Sequence, residues 1–274
     1  MAMQIRCGTY PTRARIAKWR PSQTFDASCP LCRSPKDTIG HRLASSLNRS
    51  IKNQICARHG HDVHALATEI RSETLGECAM FCDAECNERY TVFPDSLLPS
   101  HMQTSRPDIF LLQTIRARDL GNLPPGRRRD PRVVLHVIEV TYTSDLYVHG
   151  AVPRNFQQHD ELCRNLRAFG WQNVRIHTFV VGHTGVMLVM RQDNANILTQ
   201  HGTSQHRVTP FLAELAIRSL HKSCVILSCF PSANLQAHTR APSVTPPMPT
   251  ATAASPPLLP MTVSPPTNAL VEPT

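Results

Sequence analysis

The residues that could carry chemistry begin with two acids, each set in an apolar, strand-like run. Asp108 comes directly before Ile109–Leu112, and Glu139 lies inside the run Val133–Tyr142. A carboxylate on a buried strand is costly unless a cation or hydrogen bonds compensate its charge. Hard divalent cations are held by one or two carboxylates together with waters and substrate phosphates. The pair therefore predicts a Mg²⁺ site of the kind that hydrolyses phosphodiester bonds.

A third group is needed to activate the attacking water. Nucleases of the restriction-endonuclease type carry an Asp on one strand and Glu-x-Lys on the next, and the spacing of two puts Glu and Lys on one sheet face. Here Thr141 stands at the lysine position, and no lysine occurs between Lys52 and Lys222. We therefore take Arg154, at the start of the next predicted helix, as the third candidate catalytic residue. Arginine stays protonated, so it can bind phosphate but is a poor proton shuttle.

Other polar residues near Asp108 and Glu139 could take part in the site, but each also has a simpler, non-functional interpretation. Glu69 and Glu73 could add a carboxylate, but solvated helix charges account for them equally well. His159 could face an active cleft, although a surface histidine is the commoner case. Asp108 itself follows Pro107 and could be a turn residue. Burial of Glu139 among valine and isoleucine is harder to explain without a function.

A Cys/His cluster precedes the acids. Cys29-Pro-Leu-Cys32, followed by His41, offers two thiolates and an imidazole suitable for tetrahedral Zn²⁺. At the spacing of a C-x2-C-x8-H-x4-C site the fourth ligand would be Ser46, which is a poor zinc ligand. Replacement ligands lie within reach of a longer loop, and we take His59 as the candidate among Cys56, His59 and His61. A cluster that no longer holds metal is the open alternative.

Three further cysteines, Cys78, Cys82 and Cys86, recur at every fourth residue. On a helix they would line one face and could form a second soft-metal site. Buried small apolar side chains are the simpler interpretation of such a stripe.

The positive charge is concentrated at the N-terminal end. Residues 1–60 contain eleven Lys and Arg against two acids, a difference of +9 that equals the net charge of the whole 274-residue chain. Such a segment suits a polyanion, whose phosphates it can neutralise with release of counterions. A solvated basic arm without a partner is the alternative. The candidate nucleic-acid-binding residues are Arg13, Arg15, Lys18, Arg20, Arg33, Lys36 and Arg42.

The pattern along the chain predicts an α/β fold, a mixed sheet flanked by helices. Four zones follow from composition: a basic arm (1–28), the Cys/His knuckle (29–61), the α/β domain (62–229) and a Pro-rich tail (230–274) that we expect to be disordered. Within the third zone, periodicity predicts helices over 59–74, 155–169 and 210–227, a loop over 116–131, and strands over 109–113, 133–142, 174–180 and 186–190.

Several classes of protein are excluded at this point. There is no apolar run near the roughly 20 residues that a bilayer requires, and no apolar core of a signal peptide. We therefore expect a soluble, intracellular protein, nuclear or cytoplasmic, with free or metal-bound thiols rather than disulfides. Neither a membrane nor a small-molecule substrate is expected as a partner.

The order of these motifs resembles the C-terminal region of LINE-like (non-LTR) retrotransposon polyproteins. In that family a zinc knuckle and a restriction-like, PD-(D/E)xK endonuclease follow the reverse transcriptase. The resemblance extends over roughly residues 8–229, and its motifs are short but fairly specific in their order. They are Cys29–Cys32 with His41, Arg58-His59, Arg106-Pro107-Asp108, Ile138–Asp145 and Gln158-His159.

The resemblance implies a function as well as a fold. It implies a restriction-endonuclease-like domain in which Asp108 and Glu139 ligate Mg²⁺ and nick target DNA, so that a 3′-hydroxyl can prime reverse transcription. It also implies that the knuckle contacts DNA, and possibly element RNA. The printed sequence has only 28 residues ahead of the knuckle, too few for a polymerase, so we expect this chain to lack one. Ser46 and Thr141 depart from the family pattern and leave open a non-catalytic binding module or an inactive relic.

Overall fold

A computed structural model of the chain describes residues 1, 4, 10–21, 26–73, 78–83, 97, 107–113, 115, 124–143, 148–185 and 191–231. The helices are α1 (Arg13–Trp19), α2 (Arg49–Glu73), α3 (Pro125–Arg128), α4 (Val148–Ala168), α5 (Arg191–Gln200) and α6 (Gln205–Ser228), with a π-helical turn at His41–Ser45. The strands are β1 (Cys78–Cys82), β2 (Ile109–Gln113), β3 (Val134–Thr143) and β4 (Asn173–Gly182).

The strands form a four-stranded mixed sheet in the order β1-β2-β3-β4. β1 pairs antiparallel with β2, and β2 pairs antiparallel with β3. β3 and β4 are parallel, and helix α4 makes the crossover between them, as parallel neighbours require. The predicted α/β class and mixed sheet are therefore confirmed.

Both faces of the sheet are covered, which explains why β3 is apolar nearly throughout. Ile138 and Val140 face a cluster formed with α2, α5 and α6. Leu135 and Val137 point to the opposite face, where residues of α4 and Trp171 cover them. A strand buried on both faces has few positions for polar side chains. The polar residues of β3 are therefore informative about function.

A third apolar cluster joins the knuckle to the end of α6. It contains Tyr10, Cys29, Leu43, Ile51, Ile226, Leu227 and Phe230. The Tyr10 hydroxyl also donates a hydrogen bond of 3.3 Å to the Leu227 carbonyl oxygen. Part of the basic arm and the knuckle therefore share a core with the α/β region.

Two of the predicted zone boundaries differ from this arrangement. α2 is continuous from Arg49 to Glu73, so the boundary at 61/62 falls inside one helix, which starts ten residues before the predicted one. Ile51 and Ile55 carry the helical spacing there, and their polar neighbours obscure it. Phe230 is packed in the third cluster, so the tail begins after it. Residues 232–274, most of the predicted tail, lie outside the described residues.

The structure also contains elements that the periodicity did not indicate. The segment Cys78–Cys82, for which the periodicity predicted neither a helix nor a strand, forms edge strand β1. Helix α5 was missed because Ile197 and Leu198 are its only large apolar residues. The predicted strand over 186–190 lies outside the described residues. Among those that are described, no helix combines the length and apolar character that a membrane crossing needs.

Candidate active site and metal centre

The two predicted acids are brought together by the register of the sheet. Ile109 pairs with Ile138, so the antiparallel register extended by one residue sets Asp108 opposite Glu139. Oδ2 of Asp108 accepts a hydrogen bond of 2.7 Å from the backbone N–H of Val140. The Asp108 and Glu139 carboxyl groups are themselves hydrogen-bonded to each other. Residues 31 positions apart in sequence thus form one acidic site.

A third carboxylate stands in the same row. Cys82 pairs with Ile109, so Asp83 lies opposite Asp108 at the next position, where its N–H donates a 2.9 Å hydrogen bond to the Asp108 carbonyl oxygen. Its negative charge contributes to the raised pKa of Glu139. Directly opposed residues of antiparallel strands project to the same sheet face. The sequence signal for Asp83 was an acid ending an apolar run, and it was missed because β1 was not recognised.

The close approach of the carboxyl groups in this row makes it unfavourable for all of them to be ionised at once. Burial, followed by the charge of Asp108 and a hydrogen bond to it, raises the pKa of Glu139 to about 10. Glu139 is therefore protonated at neutral pH when no cation is bound. Among the described residues its Oε1 has His159 Nε2 close by at 3.2 Å but no hydrogen bond of good geometry. A bound divalent cation would lower the pKa of these carboxyl groups, because it stabilises their ionised form. Carboxylate oxygens are the donors that Mg²⁺ prefers, although no three side chains of this row bring their ligand atoms within 4.8 Å of one another.

Two histidines flank the acids: His159, for which a place in an active cleft was one of two interpretations, and His59, for which it was not expected. Nε2 of His59, on α2, lies 3.0 Å from the Val140 carbonyl oxygen and 3.3 Å from Oδ2 of Asp108. Nε2 of His159, on α4, lies 3.2 Å from Oε1 of Glu139. His159 is buried, so the surface interpretation is wrong. His59 was the candidate zinc ligand, and the structure instead places it at the acidic site, since its helix turn faces β3.

The two rings differ in their protonation. Burial lowers the pKa of His59, but the hydrogen bond to Asp108 and the Asp108 charge more than offset this, so its pKa is raised. Burial lowers the pKa of His159, and the more distant Asp108 charge does not overcome it. The site therefore pairs a readily protonated imidazole with a neutral one. Such a difference in environment is the usual basis for separate acid and base roles.

The lysine position is occupied by a neutral pair. Nδ2 of Asn155 donates a hydrogen bond to Oγ1 of Thr141, and Asn155 lies one turn before His159 on α4. Arg154 is exposed and forms no ion pair with Asp108 or Glu139 among the described contacts, so the structure does not support its predicted catalytic role. The reason is helical geometry: Asn155 and His159 take the inward face of α4.

Glu69 is neither a site carboxylate nor a solvated charge. Its side chain is buried and accepts two hydrogen bonds, of 3.1 and 3.2 Å, from the guanidinium of Arg207 on α6. The contact joins α2 to α6. The side chain of Glu73 lies outside the described residues.

The predicted zinc ligands form a second cluster. One ligand atom from each of Cys29, Cys32 and His41 lies within 4.8 Å of the others, and Cys32 Sγ is 3.1 Å from His41 Nε2. Arg33 adopts a positive φ of 59°, and its N–H donates to the Cys29 carbonyl oxygen at 2.9 Å, which closes the knuckle turn. The π-helical turn then presents His41. The chain therefore has a Cys29–Cys32–His41 cluster that could bind a metal such as zinc.

The fourth position of this cluster is occupied by Ser46. Its side chain is buried and donates a hydrogen bond to Cys32. Although burial alone would raise the pKa of Cys32, this bond and those from the backbone N–H groups of Ser34 and Leu47 help to lower it. Cys56 and His61 are exposed on α2 and do not belong to the cluster. The described ligand set is thus three residues, which leaves one zinc position for another donor.

The predicted nucleic-acid-binding residues divide into exposed and structural ones. Lys18, Arg33 and Lys36 are exposed, and Arg20 is partly exposed. The Arg15 guanidinium lies 5.1 Å from the ring centroid of Trp19, which is 54% exposed.

Two of the seven are engaged by acids. Arg13 pairs at 3.3 Å with Asp26. The guanidinium of Arg42 is buried and donates hydrogen bonds of 2.6 and 2.5 Å to Asp37, so it is not available to phosphate and its assignment is wrong. Asp37 also accepts from the Arg13 backbone N–H at 2.9 Å, which anchors α1 to the knuckle. A buried carboxylate between two such partners makes Arg42 a structural residue.

Among the described residues, the cysteines outside the knuckle form no disulfide. Cys78 and Cys82 lie on strand β1, not on a helix, and pack against the first apolar cluster. This confirms the simpler interpretation for these two residues. Cys86 lies outside the described residues.

Comparison with models of known protein families gives no match for this chain. Comparison with curated proteins gives none either.

Proposed function

We propose that this chain is a retrotransposon-derived nucleic-acid-binding protein with a divalent-metal-dependent phosphodiesterase site at Asp108 and Glu139. The observation that carries the proposal is the meeting of these two carboxyl groups at one end of the sheet, with Asp83 in the same row. Holding three partly buried acids close together without a cation is unfavourable, as the raised pKa of Glu139 indicates. Bound Mg²⁺ or Mn²⁺ relieves that cost.

The chain's own residues can be assigned roles around such a cation. Asp108 and Glu139 would hold the cation, and the backbone N–H of Val140 fixes the orientation of Asp108. Mg²⁺ at such a site lowers the pKa of bound water and screens the negative charge of the transition state. His159, kept neutral by burial, is the proton acceptor that we assign in place of the missing lysine. His59, held on Asp108, orients that carboxylate.

Nucleic acid is the proposed substrate because of the surface around the knuckle. Exposed Lys18, Arg33 and Lys36 supply positive charge, and exposed Trp19 offers a flat ring on which a base can stack. Phosphate contacts dominate affinity and make it depend on salt. Aromatic stacking adds affinity with little sequence preference. Target-site nicking of DNA, as the resemblance implies, is the reaction that we propose.

The test is nicking of supercoiled plasmid by the full chain with Mg²⁺ or Mn²⁺. We expect slow nicking that EDTA abolishes, and a loss of at least about 100-fold in rate for Asp108→Asn and for Glu139→Gln, since each ligand stabilises the transition state directly. Glu161→Gln is the matched control, because Glu161 is an exposed acid on the same helix as His159. Equal nicking by wild type and both site variants would show that the activity arises elsewhere.

A second candidate is a non-catalytic DNA- or RNA-binding module. The observation in its favour is the Thr141–Asn155 pair, a neutral and mutually satisfied contact at the position of the lysine. Salt-sensitive binding of nucleic acid without any metal-dependent nicking would establish this candidate in place of the first.

A further inference from the structure

Three histidines from separate elements meet at a place that the proposed nuclease site does not use. His136 lies on β3, His177 lies on β4, and His201 directly follows α5. In the parallel register Ile138 pairs with His177, so His136 and His177 are diagonal neighbours on one sheet face. His136 is three residues before Glu139 and therefore on the opposite face of the same strand. The group is thus separate from the acidic row.

The three rings are close enough to share one ion. One nitrogen from each lies within 4.8 Å of the others, and Nδ1 of His136 is 2.9 Å from Nε2 of His177. The ring centroid of His201 lies 4.5 Å from that of His136 and 5.2 Å from that of His177. Tetrahedral Zn²⁺ with bonds of about 2.0–2.1 Å holds its ligand nitrogens roughly 3.3 Å apart. Only small side-chain shifts separate the observed arrangement from that geometry.

Burial and hydrogen bonding distinguish this group from an ordinary set of core histidines. His136 and His201 are 0% and 1% exposed, whereas His177 is partly exposed. Nε2 of His136 and both ring nitrogens of His201 are buried and have no hydrogen-bond partner in the part of the chain that the structure describes. Leaving such a nitrogen unsatisfied costs free energy, because the hydrogen bond that it makes with water in the unfolded chain is lost. Three histidines at one buried point are difficult to explain by packing alone, because apolar residues would fill it without this cost.

We propose that His136, His177 and His201 bind one transition-metal ion, with Zn²⁺ as the natural occupant. Imidazole nitrogens suit Zn²⁺, Cu²⁺, Ni²⁺ and Co²⁺ and do not suit Mg²⁺. The three ligands leave a fourth position for water or an exogenous ligand. The ion ties the C-terminal end of α5 to β3 and β4. It is chemically distinct from the knuckle, whose ligands include two thiolates.

The test uses untagged full-length protein with the Asp108→Asn change, which disables the acidic site, and counts metal by elemental analysis after dialysis against Zn²⁺. We expect two zinc ions per chain when the knuckle is loaded, and one in Cys32→Ser. In the Cys32→Ser background, Co²⁺ should give a d–d spectrum without thiolate charge-transfer bands. Adding His177→Asn should remove that spectrum and weaken Co²⁺ binding at least about 10-fold, as expected for loss of a ligand.

The controls keep the outcome interpretable. His206→Asn, an exposed histidine of α6, should leave the metal count unchanged. If Cys32→Ser fails to fold, the count for His177→Asn alone, compared with wild type, decides the question. His177 is chosen because its partial exposure makes the variant tolerable, and circular dichroism checks its fold. A Cys32→Ser protein that binds no Zn²⁺ or Co²⁺, or binding that His177→Asn leaves unchanged, overturns the proposal.

Discussion

Glu139 is the residue where stability and the proposed function oppose each other. Burial and the Asp108 charge raise its pKa to about 10, so the folded chain holds a proton there that the unfolded chain releases at neutral pH. A carboxyl group with a raised pKa destabilises the folded state at pH values above its ordinary pKa, near 4.5. In the absence of cation the residue therefore weakens the fold, which a purely structural position would not be expected to do.

This gives a prediction for Glu139→Gln. A neutral amide resembles the protonated acid, so the metal-free variant should be more stable than wild type by about 1–3 kcal/mol at pH 7.5. Urea unfolding in EDTA measures the difference. Mg²⁺ or Mn²⁺ should stabilise wild type but not the variant. The exposed Glu161→Gln should change neither quantity, and destabilisation by Glu139→Gln would contradict the assigned protonation state.

At the scale of elements, α2 connects the two candidate sites. Ile51 packs in the cluster beneath the knuckle, and His59, about two turns further on, contacts Asp108. Between them the Arg58 guanidinium is buried, donates to the Leu43 carbonyl oxygen at 2.9 Å and lies 4.3 Å from the ring centroid of Tyr142. One rigid helix thus fixes the knuckle relative to the end of β3.

The exposed surface of helix α1 leads to a prediction about nucleic-acid binding. Trp19 and Lys18 are exposed, and Arg15 lies beside the indole, so the helix combines stacking with charge. Replacing Lys18 and Trp19 together by alanine should weaken DNA binding about 10-fold at 100 mM salt and reduce the slope of log K against log salt by about one. Fluorescence anisotropy measures both.

The matched control for that experiment is Arg164→Ala. Arg164 is an exposed arginine of α4, with a side chain that is 69% exposed. Its loss removes one positive charge from a different element and should leave the affinity nearly unchanged. Equal weakening by the α1 and α4 variants would mean that net charge alone, and not the α1 surface, determines binding.

At the scale of the whole molecule, the described residues include several histidines that burial keeps neutral. Burial is the main cause, and it lowers the pKa of His136 to about 3 and those of His177, His183 and His201 to about 4. The unfolded chain binds protons at these positions near pH 6.5, whereas the folded chain does not. Stability from these four groups is therefore complete above about pH 6.5 and is lost as the pH falls towards 4. The raised pKa of Glu139 has the opposite effect on the free energy of unfolding, which it increases as the pH falls, but it is one group against four.

The expected result is acid sensitivity of the metal-free protein. The free energy of unfolding should fall by about 2–4 kcal/mol between pH 7 and pH 5.5, since each group contributes up to roughly 1.4 kcal/mol per pH unit. Urea midpoints at several pH values in EDTA test this. His183→Gln should flatten the dependence, and the exposed His206→Gln should not. A stability that is independent of pH over this range would show that the histidines are not buried as described.

Local pattern alone determined much of this protein. The alternation and apolar runs of β2, β3 and β4 predicted three strands close to their true bounds. This worked because a strand buried in a sheet must be apolar whatever elements cover it. The same reasoning isolated Asp108 and Glu139, since a carboxylate in such a run is conspicuous. The spacing of Cys29, Cys32 and His41 predicted a cluster that the fold does assemble, because these ligands are close in sequence.

Tertiary structure decided what depends on contacts between distant segments. Asp83 joins the acids only through the β1–β2 register, and His59 and His159 reach them only because α2 and α4 cover opposite sides of β3. Arg42 is buried because it pairs with Asp37. His136, His177 and His201 lie close together only because the fold places β3, β4 and the end of α5 side by side. A sequence fixes which side chains are available, but charge, burial and coordination depend on neighbours that only the folded chain supplies.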